Sequence, residues 1–351
     1  MSQIFTPAIG QYDNIGDIIL RRPLLEWLRP AGELHVFVGP APHGFEASLG
    51  LQAHDHVYRS FSTWYLAGLK SALAGRASYA FKPGEIQLTL KGMKEHVSML
   101  PLLALLRLRG GRVVRVGSGA RNFARWPRLV LWPSVALSNL LFWRDRRTAE
   151  HLGSGAVMPD LAFGDGDLSP AEGPRPWMIV SMRGDRHGVS DAWVAAVRGF
   201  ALREGLKIKL VTQVARDAEL SLDLARRLNA ELLQWDGKDH DFQEERLRQA
   251  YREARVAVSD RLHVLIAAFT HGAVPIGLLT DKSDKIARHF EAAGVASVHI
   301  YPDDRPAEQL IEAMRTVLLR KRELFDGLAH ARVELQGVRQ RVLQCLAEAN
   351  A

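Results

Sequence analysis

Between Glu253 and Gly277 the chain reads EARVAVSDRLHVLIAAFTHGAVPIG, and few folds accommodate such a stretch. An apolar run, Val256–Ser259, ends at Asp260-Arg261-Leu262-His263. Apolar residues at helical spacing follow. Gly272 and Pro275 then lead into a second strand-like run, Ile276–Leu279. Strand, helix and strand over so short a length call for a parallel pair joined by a right-handed crossover. Arg261 and His263 are thereby pinned where a strand end meets a helix start. Open α/β sheets hold ligands at such points, and the free N–H groups of a first helical turn favour anions. The ligand expected is a small anion.

The same alternation runs along most of the chain. In the N-terminal half Ile4–Ile9, Leu34–Val38, His56–Tyr58 and Arg112–Val116 read as strands. Ile18–Leu28, Trp64–Leu73 and Met93–Leu108 read as helices, the last interrupted by Pro101 and stopped by Gly110-Gly111. The segment 164–176, GDGDLSPAEGPRP, reads as a linker, because Gly, Pro and acidic residues separate two patterned regions. After it, strands are expected at Trp177–Met182, Ile208–Val211, Leu232–Trp235, Val256–Ser259, Ile276–Leu279 and Val298–Tyr301. Helices are expected at Asp191–Arg203, Ala218–Leu228, Phe242–Tyr251, 262–271, Lys285–Ala293 and Ala307–Leu319. From Glu308 to about Leu346 the pattern stays helical, as a partner helix or one packed across the N-terminal domain. The fold expected is α/β, with two Rossmann-like domains facing a cleft. The domains are 1–163 and 177–306, with the linker 164–176 between them and a helical tail, 307–351.

A chain of 351 residues suits two domains. No apolar run reaches the ~18 residues that suggest a membrane span. The N-terminus, MSQIFTPAIGQYDN, lacks the basic segment, apolar core and cleavage site of a secretory signal. The single cysteine, Cys345, excludes an intrachain disulfide and a cysteine metal cluster. A cytoplasmic location is expected, with a peripheral position at the inner face of the membrane left open. The net charge of +7 is concentrated in Arg107–Arg128 and in Arg144-Asp145-Arg146-Arg147. No long polybasic run or nucleic-acid motif accompanies it, so an anionic substrate, with lipid nearby, fits better than nucleic acid.

Five further stretches carry candidate chemistry. In Gly10-Gln11-Tyr12-Asp13-Asn14-Ile15-Gly16-Asp17, Gly16 permits a close approach and Asp17 suits a helix cap. Asp13 or Asn14 could bond sugar hydroxyls; a plain turn with a cap is the simpler alternative. The spacing is neither GxGxxG nor a phosphate loop. In Ser181-Met182-Arg183-Gly184-Asp185-Arg186-His187, Arg183 sits just past a strand end, where a guanidinium can hold phosphate or carboxylate through two donors. The alternative is a solvated basic loop, with His187 accessory. Arg144-Asp145 follows Leu140–Trp143, and Asp160 could line a cleft or fix a turn. Lys282 and Lys285 follow a strand and could reach a phosphate. The thirteen histidines form no HExxH and no compact cluster by spacing, so no metal is expected. Trp126, Trp132 and Trp143 could form core, a sugar-stacking surface or a membrane-facing patch, core being the default for aromatic residues.

Several of these motifs, in order, resemble the polysaccharide pyruvyl transferase family. They are Asp13-Asn14-Ile15-Gly16-Asp17, Phe142-Trp143-Arg144-Asp145 with Gly153, and Met158-Pro159-Asp160-Leu161-Ala162-Phe163. Val258-Ser259-Asp260-Arg261-Leu262-His263 follows, with Ala267-Ala268 and Gly272-Ala273-Val274-Pro275, and then Asp284-Lys285. The resemblance covers about residues 8–292. It implies a glycosyltransferase-B-like architecture and transfer of pyruvate from phosphoenolpyruvate to two hydroxyls of a sugar. The sugar belongs to a surface polysaccharide or its lipid-linked precursor; a cyclic ketal forms and phosphate leaves. No cofactor is implied beyond the donor substrate. The N-terminal domain would be the acceptor side and the C-terminal domain the phosphoenolpyruvate side. Arg183 and Arg261 would bind the donor, with Asn14, Asp160 and Lys285 as further substrate contacts. His263 would be the acid, or the group that escorts the phosphate out, with Asp13 or Asp17 acting on the acceptor. A nucleotide-sugar-dependent glycosyltransferase of the same architecture, or a catalytically silent sugar-binding protein, are the alternatives.

Overall fold

The computed structural model describes residues 2–167, 173–186, 188–301 and 305–350. The chain divides into two compact units. The first comprises Met1–Gln11, Leu20–Leu161 and Val333–Ala351; the second comprises Tyr12–Ile19 and Ala162–Arg332.

The first unit is built on a parallel sheet. Its strands are β1 (Gln3–Pro7), β2 (Glu33–Phe37), β3 (His56–Tyr58), β4 (Ala77–Phe81), β5 (Gly84–Ile86), β6 (Val113–Ala120), β7 (Leu140–Trp143) and β8 (Ala156–Val157). Their order is β3-β2-β1-β4-β6-β7-β8, with β5 also paired to β6. The connecting helices are α1 (Ile15–Leu28), α2 (His43–Ser48), α3 (Phe61–Leu73), α4 (Leu90–Leu108), α5 (Arg125–Ala136) and α6 (Arg146–Leu152). α1 begins in the second unit and continues into the first. Apolar positions from β1, β4, β6, α3 and α4 meet in one buried cluster around Phe5, Trp64, Tyr79 and Leu103. A second cluster joins Met93 of α4, Leu131 and Val135 of α5, and Trp143 of β7.

Two expectations fail here. Pro101 does not interrupt its helix: α4 runs through it, with the proline on the exposed side. β6 does not stop at Val116 but continues through Gly117-Ser118-Gly119 to Ala120, because β5 and β7 both pair along it.

The second unit carries a parallel sheet of six strands: β9 (Trp177–Ser181), β10 (Lys207–Val211), β11 (Glu231–Leu233), β12 (Ala254–Ser259), β13 (Val274–Leu278) and β14 (His299–Ile300). Its helices are α7 (Asp191–Arg203), α8 (Ala218–Leu228), α9 (His240–Arg252), α10 (Leu262–Thr270), α11 (Lys285–Ala292) and α12 (Ala307–Leu319). The order is β11-β10-β9-β12-β13-β14. The chain thus leaves β9 in one direction for β10 and β11, and returns to its other side at β12. That reversal opens a crevice at the carboxyl ends of β9 and β12.

The linker is largely tied down where it is described. Arg332 donates to the carbonyls of Phe163, Asp165 and Asp167, and Arg175 to those of Ala254 and His271. The tail expected over 307–351 comprises α12 and one long helix, α13 (Lys321–Ala347). Its last part belongs to the first unit, where Arg112 pairs with Glu348 and Arg341 lies over Phe142. No helix among the described residues is long and apolar enough to cross a membrane.

Candidate functional site

The expected strand-end residues of the second unit do converge on the crevice between β9 and β12. Ser259 reaches across to the carbonyl of Ser181, and its hydroxyl also accepts the N–H of Arg261 at 2.9 Å. One residue on, the N–H of Arg183 donates to Asp260 Oδ1 at 2.9 Å. Two neighbouring strand ends are therefore stitched together by short polar side chains.

The guanidinium groups of Arg183 and Arg261 are each gripped along one edge. Asp185 takes the Nε and NH2 groups of Arg183 at 2.9 and 2.8 Å. Asp217 takes the same two groups of Arg261, and also accepts the N–H of Gly184 at 2.8 Å. Asp217 is buried and lies after β10, so the third strand end of the unit joins the site. These bonds hold the Asp185 carboxyl well below the usual range, the Arg183 hydrogen bond being the main cause, and push Arg183 up. Arg186, on the same loop, pairs with Asp281 beyond β13.

Burial decides the behaviour of Asp260. It is nearly enclosed, its Oδ2 has no hydrogen-bond partner, and desolvation raises its pKa to about 6 despite Arg183 and Arg261 nearby. The folded chain thus holds a proton there between the ordinary 3.8 and about 6 that the unfolded chain gives up. Stability is lost as pH rises through that window, and the loss persists above it. Asp260→Asn keeps an acceptor for Arg183 and removes the buried charge. It is expected to be more stable than wild type by about 1–3 kcal/mol near neutral pH, the gain vanishing toward about pH 4. Urea unfolding at acid and neutral pH measures this; a gain independent of pH would contradict it.

The loop after β1 belongs to this site as well. Tyr12–Ile19 is part of the second unit, whereas the sequence reading assigned all of 1–163 to the first. The reason is backbone bonding to the loop after β10. Asn14 bridges to Val214, the N–H of Ile15 donates to Gln213, and the N–H of Ala215 donates to Asp13. The carbonyl of Tyr12 lies 2.6 Å from His240 Nε2. Asp13 spends both oxygens on Arg216, at 2.8 and 2.7 Å, which raises the arginine's pKa. The helix cap expected of Asp17 is made by Asn14, whose Oδ1 accepts the N–H of Gly16 at 2.9 Å. Asp17 lies in the first turn of α1, 3.5 Å from the Asn14 amide. His263, in the first turn of α10, packs directly on this loop. A Cβ on Gly16 would lie 2.9 Å from His263 Cβ and 3.1 Å from its Nδ1, so only glycine fits. Gln213 braces the carbonyl of His263 at 3.4 Å.

Asp13, Asn14, Asp17, Arg183, Arg261 and His263 are thus all in the second unit, about strand ends β9, β10 and β12. Lys285 opens α11, four residues beyond Asp281. Asp160 is elsewhere. It is fully buried in the first unit, 2.8 Å from Arg144 NH1, and lines no surface. Asp145 caps α6 through the N–H of Thr148. His187 lies outside the described residues. Sequence reading missed Asp185, Gln213, Arg216, Asp217 and His240. Gln213-Val214-Ala215-Arg216-Asp217 stands directly after a readable strand, so strand-end position alone could have flagged it.

Contrary to the expectation from spacing, one compact group of histidine and carboxylate side chains exists. Strand register sets His35 opposite His56, and Glu33 joins them, with ligating atoms within 4.8 Å of one another. The two rings stack at 4.5 Å and 19°. Glu33 receives His56 at 2.6 Å, and burial pushes His35 down to about 4.

Known structures share this architecture. The UDP-GlcNAc 2-epimerase from Neisseria meningitidis bound to UDP-GlcNAc aligns with a TM-score of 0.60 at 11% identity, covering 98% of this chain and 99% of that one. Phytolacca americana UGT2, complexed with UDP-2fluoro-glucose and pterostilbene, aligns at 0.56 and 10% identity, covering 97% and 99%. A putative UDP-N-acetylglucosamine 2-epimerase from Listeria monocytogenes aligns at 0.52 and 13%, covering 93% and 90%. These likenesses establish a glycosyltransferase-B-like fold of two Rossmann-like units. Comparison with curated proteins gives no match. The sequence model described as polysaccharide pyruvyl transferase matches residues 14–282, a span that begins at the capping Asn14 and encloses Arg183, Asp217, Arg261 and His263. With most of its length matched, and its strand-end residues within the match, the chain belongs to the polysaccharide pyruvyl transferase family.

Proposed function

We propose that this enzyme transfers pyruvate from phosphoenolpyruvate to two hydroxyls of a sugar, forming a cyclic ketal on a surface polysaccharide or its lipid-linked precursor. One observation carries the reading. Arg183 and Arg261 are each fixed by a carboxylate on the Nε–NH2 edge, which leaves both NH1 edges for a ligand. Phosphoenolpyruvate has two anionic groups on one small skeleton and suits two pre-oriented guanidinium groups.

The reaction then balances as follows. A proton adds to the methylene carbon, which becomes the methyl group, and a sugar hydroxyl adds to the central carbon. The bond to the phosphate oxygen breaks and phosphate leaves. The second hydroxyl closes the ring. Of the two hydroxyl protons, one replaces the proton placed on carbon and the other leaves with phosphate. His263 supplies the proton. Asp17 is the base for the acceptor, since Asp13 is committed to Arg216. Lys285 is a secondary donor contact.

A nucleotide-sugar-dependent transferase is the second reading, favoured by the UDP-sugars bound in two similar structures. Calorimetry with phosphoenolpyruvate and with UDP-GlcNAc separates the two. The first is expected to bind and the second not. Arg261→Lys keeps a charge beside Asp217 but loses the planar fork. It is expected to weaken phosphoenolpyruvate roughly tenfold to a hundredfold. Unchanged donor affinity in a natively folded variant would remove Arg261 from the donor site, and binding of UDP-GlcNAc alone would favour the second reading.

A further inference from the structure

α5 presents its apolar side to solvent. Pro127, Leu131, Ser134 and Val135 are buried against the first unit. Trp126, Leu129 and Trp132 recur on the opposite face with 77%, 63% and 53% of their surface exposed. The core default assigned to the three tryptophans holds only for Trp143, which is buried and donates to the carbonyl of Ser154. An exposed stripe of two indoles and a leucine along about 9 Å of helix is costly in water.

Charge says what covers it. From Lys91 to Arg147 there are twelve Lys and Arg against two Asp and Glu, whereas the whole chain has 46 against 39. Some of these are internal, Arg115 and Arg144 among them. Arg121 and Arg125 are exposed at the start of α5, and Lys91 and Lys94 on α4, whose Met93 shares a buried cluster with Leu131. Arg147 lies over the Phe123 ring at 4.0 Å, just ahead of the helix. A second copy of the same basic face would be repelled. Two exposed indoles on a helix that opens with the exposed Arg125, within a strongly basic stretch, match the interface of an anionic bilayer, where the rings sit at headgroup depth and the cations pair with lipid phosphate.

We infer that α5 is a membrane-surface anchor, laying Trp126, Leu129 and Trp132 into the headgroup region of an anionic leaflet. The inference is independent of the donor assignment. The full chain is mixed with phosphatidylcholine vesicles, with and without phosphatidylglycerol, and bound protein is separated by flotation. Vesicles containing phosphatidylglycerol are expected to bind roughly tenfold or more tightly than neutral ones, with binding weakened by salt. Trp126→Ser combined with Trp132→Ser should lose roughly tenfold in that affinity while keeping the wild-type circular dichroism, because both side chains are exposed. Arg125→Glu should weaken binding without touching an indole. Absence of binding to phosphatidylglycerol vesicles, or equal binding by the double variant, overturns the inference. So does a wild-type dimer in sedimentation that the double variant dissolves, which would make the stripe a contact between copies.

Discussion

His263→Gln is expected to lower turnover by roughly 10²–10⁴-fold, the range typical of a lost acid or base, while donor affinity stays within about threefold. Glutamine retains a hydrogen-bonding end but cannot deliver a proton to carbon. His263 stands in the first turn of α10 beside the Asn14–Asp17 loop, with Gln213 holding its backbone carbonyl. Single-turnover phosphate release compares the chemical step in the two proteins without interference from product release. Matching rates would assign the proton elsewhere. Asp260, held near 6 in the same crevice, would be the next residue to test.

Asp160→Ala is expected to cost about 3–5 kcal/mol, because it strands the Arg144 guanidinium in a buried site. For a unit of this size that corresponds to a fall in midpoint on the order of 10 °C, readable by scanning calorimetry. Phosphoenolpyruvate affinity of the protein that remains folded should be unchanged, since the pair belongs to the first unit and the arginine site to the second. A variant with an unaltered midpoint and weakened donor binding would reverse the assignment and return Asp160 to the ligand.

Elements set by residues close along the chain were legible in the sequence. Periodicity is local, so α7, α8 and α12 follow directly from their apolar spacing, and the strand–DRLH–helix unit from one contiguous run. β4 and β5 were not, because Ala77–Phe81 and Gly84–Ile86 mix small and polar residues that become strands by pairing, β4 between β1 and β6 and β5 beside β6. Arg183 and Arg261 stood out as strand-end cations. Their partners Asp185 and Asp217 did not, since strand order alone decides that the loop after β10 reaches Arg261. Asp160 looked like a site residue because family motifs record conserved neighbours without recording whether they face a ligand or the core.

The lodging of Tyr12–Ile19 within the second unit bears on how such enzymes can diversify. A gene exchange with its crossover in the linker would import Gln213, Val214 and His263 from one parent and keep the early loop of the other. The Asn14–Val214 bridge and the space above Gly16 would then be drawn from different lineages. Half-gene shuffling should therefore yield well-folded but inactive hybrids unless the short loop travels with the later segment. Residues near position 14 are expected to be co-inherited with residues 213–216 and 263, although two hundred positions separate them in the gene.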